Sequence, residues 1–227
     1  MFAVRFKDDD PCILQNDGDS SWGAQMIIEV SESGCGYAAN YGTPKRIDYH
    51  LYQTIPATDF RKKCFVDFAI DDMSDADAVE ALSAYSDVPE GLLTTAGATP
   101  SQKVGGLELK FRPANGEHAN QYAAFTVSVP LMRVEEMMLI EAEAAGMQSE
   151  ARGIQLLTNF AKSRDPEYVY GTHKNDTYGG SHATEFQNEV WWQRRVELWG
   201  EGFALFDILR LKKPIIRQGA NLSLIHI

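Results

Sequence analysis

The chain has 227 residues, 44% of them apolar, which suffices for a packed core in one large domain or two small ones. Its formal net charge of −11 argues against a nucleic-acid partner, because binding a phosphate backbone needs clustered Lys and Arg. The cysteines Cys12, Cys35 and Cys64 show neither zinc nor redox spacing, and no apolar run approaches the roughly 20 residues that span a bilayer. We therefore expect a globular protein with no metal, cofactor or nucleic acid bound.

The N-terminal part of the chain predicts loops that carry aromatic side chains. Residues 8–21 are acidic and rich in turn formers, residues 22–30 fit a short buried strand or an irregular core segment, and residues 31–52 combine glycines with tyrosines. Aromatic rings on loops can pack against the C–H faces of sugars while Asn and Asp bind the hydroxyls. The alternative is that these rings simply cover the core. The candidates for a ligand platform are Trp22, Tyr37, Asn40 and Tyr41.

Residues 55–84 predict a capped turn followed by less regular structure. Asp59 follows Ile-Pro-Ala-Thr and predicts an N-cap for one helical turn. An extended run is expected over residues 64–70. Residues 71–84 are rich in Asp and Ala, and both a helix and a polar insertion fit them.

Two alternating segments predict a β-hairpin. Residues 107–112, LELKFR, alternate apolar and charged side chains, and residues 125–129, FTVSV, alternate in the same way. Asn115-Gly116 between them is a typical turn dipeptide. We expect two half-buried strands that pair with each other across a long loop.

Residues 131–166 predict two antiparallel helices. The first covers residues 131–145 and ends at Gly146 as a C-cap; its apolar stripe consists of Leu131, Val134, Met138, Ala142 and Ala145. Ser149 N-caps the second, which Pro166 stops; its buried stripe consists of Ala151, Ile154, Leu157 and Ala161. The short connection favours an antiparallel hairpin.

This hairpin fits the tetratricopeptide pattern in part. Ala142, Ala161 and Pro166 stand where the pattern places two small residues and a proline, whereas Ile154 and Thr158 replace its usual Ala and Phe. One degenerate repeat is indicated. The following loop contains His173, Asp176 and His182, whose spacing does not require a metal, and we expect plain surface there.

The most distinctive segment is a helix crowded with Arg, Glu and Trp. Thr184 caps it, its apolar positions extend to Trp199, Gly200 and Gly202 break it, and residues 203–211 form a short amphipathic segment. Since the aromatic residues need burial, the nearby charges need opposite partners. The predicted structural ion-pair network consists of Arg133, Arg194, Arg195, Glu197, Glu201, Asp207 and Arg210.

A catalytic alternative uses two of these charges. Glu197 and Glu201 are four positions apart and could form the acid/base pair of a glycoside hydrolase. So many arginines nearby would hold both carboxylates ionised, which favours the ion-pair network and no catalytic residues.

Two segments carry a resemblance to a known family. Residues 130–133, PLMR, and 136–144, EMMLIEAEA, resemble the Pro-Leu-x-Arg and E-M-x-L-I-x-A-E-A segment of the RagB/SusD family. Residues 193–207, from QRRVEL through Glu-Gly to Asp207, resemble its E-R-R-x-E-L-x-x-E-G-x-R-x-x-D segment. Gln193 stands where Glu is usual and Ala204 where Arg is common. The resemblance covers residues 22–214, with decreasing strength toward the N-terminus.

The resemblance implies a mainly α fold over residues 1–221. This would be the C-terminal portion of a SusD-like tetratricopeptide-type α-superhelix, with a small β-hairpin and long loops. An N-terminal half and a lipoprotein signal would precede it, so the membrane would be reached only through a lipid anchor absent from this chain. Residues 222–227, LSLIHI, match the translation of a transposon-end sequencing adapter, and we expect them to be an artefact.

The family also implies a function. Its members are surface-exposed lipoproteins of the Bacteroidetes outer membrane that bind a glycan or peptide nutrient, without chemistry, as the lid of a SusC-like TonB-dependent transporter. From the residues alone, two other functions stay open. One is a helical-repeat scaffold for a protein partner, and the other is the glycoside hydrolase.

Overall fold

The computed structural model describes residues 2–5, 26, 45–83, 105–112, 127–175 and 183–214. Within these residues the fold is mainly helical and includes a small two-stranded antiparallel sheet, so the expected mainly α class is confirmed. The elements in chain order are β1 Phe2–Val4, α1 Tyr49–Thr54, two 3-10 helices Phe60–Cys64 and Phe68–Asp72, α2 Asp75–Ser83, β2 Val129–Met132, α3 Val134–Gln148, α4 Glu150–Lys162, α5 Glu185–Glu197 and α6 Ala204–Arg210.

Short aspartate-capped turns organise residues 45–83. The side chain of Asp59 accepts a hydrogen bond from the backbone N–H of Arg61 at 2.9 Å and begins the first 3-10 helix, as predicted. The expected extended run over residues 64–70 is wrong at both ends, because Cys64 belongs to the first 3-10 helix and Asp67 caps a second one through the N–H of Ala69. Residues 71–84, which fitted both a helix and a polar insertion, contain the helix α2.

Among residues 107–112 and 127–129, which the structure describes, the strands of the predicted β-hairpin do not pair with each other. Leu107 and Glu108 make isolated bridges with Arg46 and Phe65, and Val129 pairs with Val4 in the antiparallel sheet of β1 and β2. Alternation in sequence predicts extended, half-buried backbone but does not choose its hydrogen-bonding partner. The sheet therefore joins segments that are distant in the chain.

Helix α3 begins later than predicted, and the side of it that is buried differs from the predicted stripe. Residues 129–132 belong to β2, Arg133 is the N-cap, and the helix passes through Gly146 to Gln148. Of the predicted stripe, Ala142 is buried, but Leu131, Val134 and Met138 are exposed, and Leu139 is buried instead. The reason is that apolar residues occur on all sides of α3, so periodicity alone does not select a face.

Two glycines set the contact between α3 and α4. A Cβ placed on Gly153 would lie 2.7 Å from the backbone nitrogen of Gly146 and 2.7 Å from Cζ of Phe186. The helices, joined by Ser149 alone, therefore pack backbone against backbone, as the predicted hairpin requires. In α4, Leu157 and Ala161 are buried as expected, Ala151 is exposed, and Phe160 is buried in its place.

Helix α5 packs against two hydrophobic clusters. The Thr184 hydroxyl accepts from the N–H of Gln187 and the Gln187 side chain accepts from the N–H of Thr184, a capping box that fixes its start. Phe186 and Val190 join α3 and α4, with Leu139, Ala142, Leu157 and Phe160. Trp192 and Val196 join the N-terminal segments, with Ile47, Leu51, Tyr52, Ile55 and Phe65.

The break after α5 occurs where the sequence places it. The helix ends at Glu197, two residues before the predicted Trp199, and Leu198 is its C-cap. Gly200 and Gly202 have φ of 76° and 88°, in the left-handed region that L side chains rarely adopt. The predicted short amphipathic segment follows as α6.

Candidate functional site

The carboxylate of Glu197 is the centre of a buried ion-pair cluster at the C-terminal end of α5. Its side chain is 7% exposed. Arg164 Nε lies 3.0 Å from Oε2, Arg61 Nη1 3.4 Å from the same oxygen, and Arg133 Nη1 3.2 Å from Oε1. Three guanidinium groups from three separate segments therefore converge on one carboxylate.

Glu201 extends this cluster. Arg133 donates from Nε to Oε2 and from Nη2 to Oε1, each at 2.8 Å, in a fork-to-carboxylate pairing. Lys110 is ion-paired with the same carboxylate. Lys110 Nζ also donates to the carbonyl oxygens of Glu197 and Trp199, both at 2.9 Å. The cation thus caps the carbonyl of Glu197, the last residue of α5, and that of Trp199 just beyond the helix.

Arg61 connects the cluster to the N-terminal segments. Its Nη2 donates to Asp59 Oδ2 at 2.6 Å and to Gln193 Oε1 at 2.9 Å. Asp59 therefore acts both as the predicted N-cap and as a buried ion-pair partner. Arg61, Lys110 and Arg164 were missed by sequence reasoning, because they lie far along the chain from Glu197 and no local spacing marks them.

A second cluster lies between α5 and α6. Arg194 Nε donates to both oxygens of Asp207, at 3.0 and 2.7 Å, and Arg210 Nε donates to Oδ1 at 2.7 Å. Arg210 Nη1 reaches Glu143 of α3 at 2.5 Å. The predicted single network is therefore two clusters, while the guanidinium of Arg195 lies 4.6 Å from the centroid of the Trp191 ring.

The surroundings of Glu197 bear on the acid/base alternative. Burial by itself would raise the pKa of this carboxyl, but the hydrogen bond from Arg164 and the charges of Arg164, Arg61 and Arg133 outweigh it, and the pKa is lowered. A general acid requires the opposite shift. This geometry holds Glu197 as a carboxylate, which suits packing and does not suit proton donation.

Glu108 differs from Glu197, because the pKa of its carboxyl is raised and not lowered. It is 1% exposed, and burial raises its pKa to about 8. Its Oε2 accepts from the N–H groups of Lys110 and Phe111 at 2.9 and 3.0 Å, and its buried Oε1 has no hydrogen-bond partner among the described residues. The alternating LELKFR segment predicted a half-buried strand, but its glutamate faces the interior and is mostly protonated at neutral pH.

His173 is buried in an aromatic and acidic environment, so the expected plain surface is wrong at this residue. Its ring is stacked on Trp192 with centroids 3.6 Å apart. Its backbone N–H and the hydroxyl of Tyr168 both donate to the buried Glu189 at 2.8 Å. Asp176 and His182 lie outside the described residues, and the part of the chain that is described holds no group of three or more side chains able to bind a metal.

A cavity of about 370 Å³, here called the α5–α6 cavity, lies beside the second cluster. Its walls come from the segment around α1, the end of α5, the glycine break and the start of α6. Leu51, Leu198, Trp199, Phe203 and Leu205 supply apolar surface. The charged lining residues are Lys45, Asp48, Arg194, Arg195 and Asp207.

The candidates for a ligand platform, Trp22, Tyr37, Asn40 and Tyr41, lie outside the described residues. In the described ranges, no helix is both long and apolar enough to cross a bilayer. No family model, curated protein or solved structure matches the chain. What can be inferred about function therefore comes from its residues and their contacts.

Proposed function

We propose that the chain is the C-terminal part of a RagB/SusD-like protein that binds a glycan or peptide nutrient at the bacterial surface. It delivers this nutrient, without catalysis, to a SusC-like TonB-dependent transporter of the outer membrane. The observation that carries the proposal is the contact between the two segments of family resemblance. Arg133 of the first segment forms ion pairs with Glu197 and Glu201 of the second.

That contact supports the proposal because Arg133, Glu197 and Glu201, which belong to the two segments of family resemblance, form ion pairs with one another. The PLMR segment ends in the arginine at the N-cap of α3, and the QRRVEL and Glu-Gly residues lie at the end of α5. Charged residues that pair across a scaffold are expected to recur together in proteins with that scaffold. Their role is to hold helices, so they say nothing about the ligand.

The finer fold belongs to the same proposal. In this proposal the α3–α4 hairpin, closed by the contact of Gly146 with Gly153 and followed by Pro166, would be one repeat of a tetratricopeptide-type superhelix. In such a superhelix each repeat stacks its apolar side on the next one. Helix α3 exposes apolar side chains suited to that role; they are Val134, Met137, Met138, Ile140 and Met147.

The proposed ligand contacts are those of the aromatic loops. Trp22, Tyr37 and Tyr41 would pack against the C–H faces of sugar rings and Asn40 would bind hydroxyls. The absence of catalysis is supported by the lowered pKa of Glu197 and by the arginines that occupy its oxygens.

A helical-repeat scaffold that binds only a protein partner is the second candidate. The exposed apolar side chains of α3 favour it, because exposed apolar residues on one helix are suited to bind a partner. Co-purification from membranes separates the two. The nutrient-binding protein brings down a TonB-dependent transporter, whereas the scaffold does not.

Calorimetry tests the ligand class. The protein is titrated with a panel of neutral oligosaccharides and of short peptides, together with the variants Trp22→Ala and Tyr41→Ala and the control Tyr49→Ala in α1. We expect saccharide binding that the first two variants abolish and the control retains. Binding of peptides alone rejects the sugar version, and no binding to either panel rejects the nutrient-binding function.

A further inference from the structure

We propose that a cavity beside the turn after α4 binds a primary ammonium group on a short aliphatic chain. The cavity, here called the Asp165 cavity, has a volume of about 170 Å³. Its walls come from residues 56–59, residues 165–173 and Trp192 of α5. One water needs only about 10–15 Å³ of such space, so the cavity has room for a small organic group.

The charge of the lining favours a cation. Among the described residues that line the cavity, several carry a carboxylate and none is Lys or Arg. Asp59 is already ion-paired with Arg61, whose Nη2 lies 2.6 Å from its Oδ2. Asp165 and Glu167 have no cationic partner among the described residues. Even a protonated His173 would balance only one of these two carboxylates, so the lining keeps a negative excess.

Asp165 supplies the more specific argument. It is 4% exposed, and its Oδ1 accepts a hydrogen bond from the N–H of Glu167 at 3.0 Å. Its Oδ2 has no donor among the described residues, and it is not enclosed as the Oε1 of Glu108 is, so a ligand in the cavity can reach it. A buried carboxylate oxygen without a donor or a counter-charge is costly, and native structures rarely keep one without a reason. An ammonium group in the cavity would supply both.

The acceptors that are open select the kind of cation. A guanidinium binds a carboxylate best through two parallel hydrogen bonds, but it would have to share Oδ1 with the N–H of Glu167. An ammonium is a compact charge for which the single open oxygen suffices. A metal ion requires several oxygen ligands, and the described residues hold no group of three or more side chains able to bind one.

The apolar part of the lining selects the rest of the ligand. Pro56, Val169 and Trp192 line the same cavity and offer surface against which a few methylene groups can pack. The ligand class is therefore an alkylammonium or the side chain of a lysine. This site is independent of the aromatic loops and of the nutrient proposed for them, so either proposal can fail without the other.

Calorimetry with two probes of similar size tests the charge requirement. The full chain is titrated with n-butylammonium chloride and with 1-butanol, which replaces the ammonium by a neutral hydroxyl. We expect butylammonium to bind at least about tenfold more tightly, in line with a hydrogen bond between charged groups. Equal affinities, or no binding of butylammonium at low-millimolar concentration, overturn the proposal.

A charge-removing variant locates the binding. Asp165→Asn keeps an acceptor for the N–H of Glu167 and removes the negative charge. Glu141→Gln removes one negative charge from the exposed side of α3 and is the control. We expect Asp165→Asn to weaken butylammonium at least about tenfold and the control to leave it unchanged. Undiminished binding by Asp165→Asn rejects the site.

A second variant decides the question if Asp165→Asn does not fold. Thr58 lines the cavity and is exposed, so Thr58→Phe places a ring there without disturbing the core. Gln53→Phe, on the exposed side of α1, is its control. We expect Thr58→Phe to weaken butylammonium at least about tenfold, whereas an unchanged affinity rejects the site.

A third probe distinguishes the two sources of the ammonium. Nα-acetyl-lysine N-methylamide presents the same alkylammonium on a peptide backbone. If it binds as tightly as butylammonium and loses affinity in Asp165→Asn, the site accepts a lysine side chain of a peptide. Binding of butylammonium alone identifies a free amine as the ligand.

Discussion

Helices α5 and α3 pack side by side, and each departs from the usual relation between polarity and burial in a different way. Helix α5 buries polar and charged side chains, namely Glu189, Gln193, Arg194 and Glu197. Helix α3 exposes apolar ones, namely Val134, Met137, Met138, Ile140 and Met147. The difference teaches that hydropathy alone does not decide which side chains of a helix are buried here, because charged residues can be buried where opposite charges meet them. The charges of α5 find opposite charges on other segments, and the methionines of α3 remain at the surface.

The strongest test of this contrast removes the shared carboxylate on α5. Glu197→Gln leaves three guanidinium groups without their common counter-charge, and we expect the free energy of unfolding to fall by about 3–5 kcal/mol. Urea unfolding measures it. Glu141→Gln, on the exposed side of α3, is the control and should change stability by less than about 0.5 kcal/mol. A Glu197→Gln, Glu201→Gln protein that stays stable but loses a glycosidase activity would instead support the acid/base pair.

The second test concerns pH and Glu108. Its pKa in the folded protein is about 8, above the value of about 4.3 for an exposed glutamate. The folded state thus keeps a proton that the unfolded state releases, so this contribution is complete at low pH and is lost as pH rises through 8. Between pH 5 and pH 8 we expect a loss of roughly 3–4 kcal/mol in the wild type relative to Glu108→Gln, whose side chain stays neutral.

Unfolding measured at several pH values for both proteins provides the comparison. Glu141→Gln should follow the wild type, because its side chain is exposed. If the wild type and Glu108→Gln change in parallel with pH, Glu108 is ionised in the folded protein and its burial does not control stability.

Two adjacent residues in α3 give a third test. Leu139 is 0% exposed and Met138 is 42% exposed, although the sequence stripe placed Met138 inside. Leu139→Ala should cost about 3 kcal/mol by leaving a cavity, and Met138→Ala less than about 1 kcal/mol. Thermal or urea unfolding distinguishes them. Equal losses would mean that the methionine side of α3 is covered.

The smallest expected effect comes from the glycine contact. Gly146→Ala should destabilise the protein by about 1–3 kcal/mol, because the added methyl overlaps the ring of Phe186. Helix propensity alone predicts the opposite sign, a gain of about 1 kcal/mol. Ala144→Gly on the exposed side of α3 measures propensity without packing. A more stable Gly146→Ala protein would show that α3 and α5 can move apart at this point.

Local signals in the sequence predicted local structure well. The cap at Asp59, the start of α5 at Thr184 and the break at Gly200 and Gly202 all depend on residues within one turn of each other. The burial of the aromatic residues of α5 was also predicted, and Phe186, Trp191 and Trp192 are buried.

Features that depend on distant partners were not predicted. The partner of β2 is β1, the buried side of α3 is set by α4 and α5, and Glu108 is enclosed by segments far along the chain. For the charged clusters, the sequence indicated Arg133, Glu197 and Asp207 but not Arg61 or Arg164. An ion pair across a fold leaves no spacing that can be recognised in one sequence. The ligand platform of Trp22, Tyr37, Asn40 and Tyr41 stays a prediction.

The long-range contacts of α5 also have a consequence for synthesis. Arg61 meets Glu197 across 136 positions, and Trp192 Nε1 donates to Thr54 Oγ1 across 138 positions. Because ribosomes add only about 5–20 residues per second, several seconds must pass before α5 can reach these partners. In that interval Arg61 lacks Glu197, and the cluster around Ile55 lacks Trp192 and Val196. Such distant contacts also slow folding once the chain is complete. The nascent protein is therefore expected to need protection from aggregation until α5 emerges.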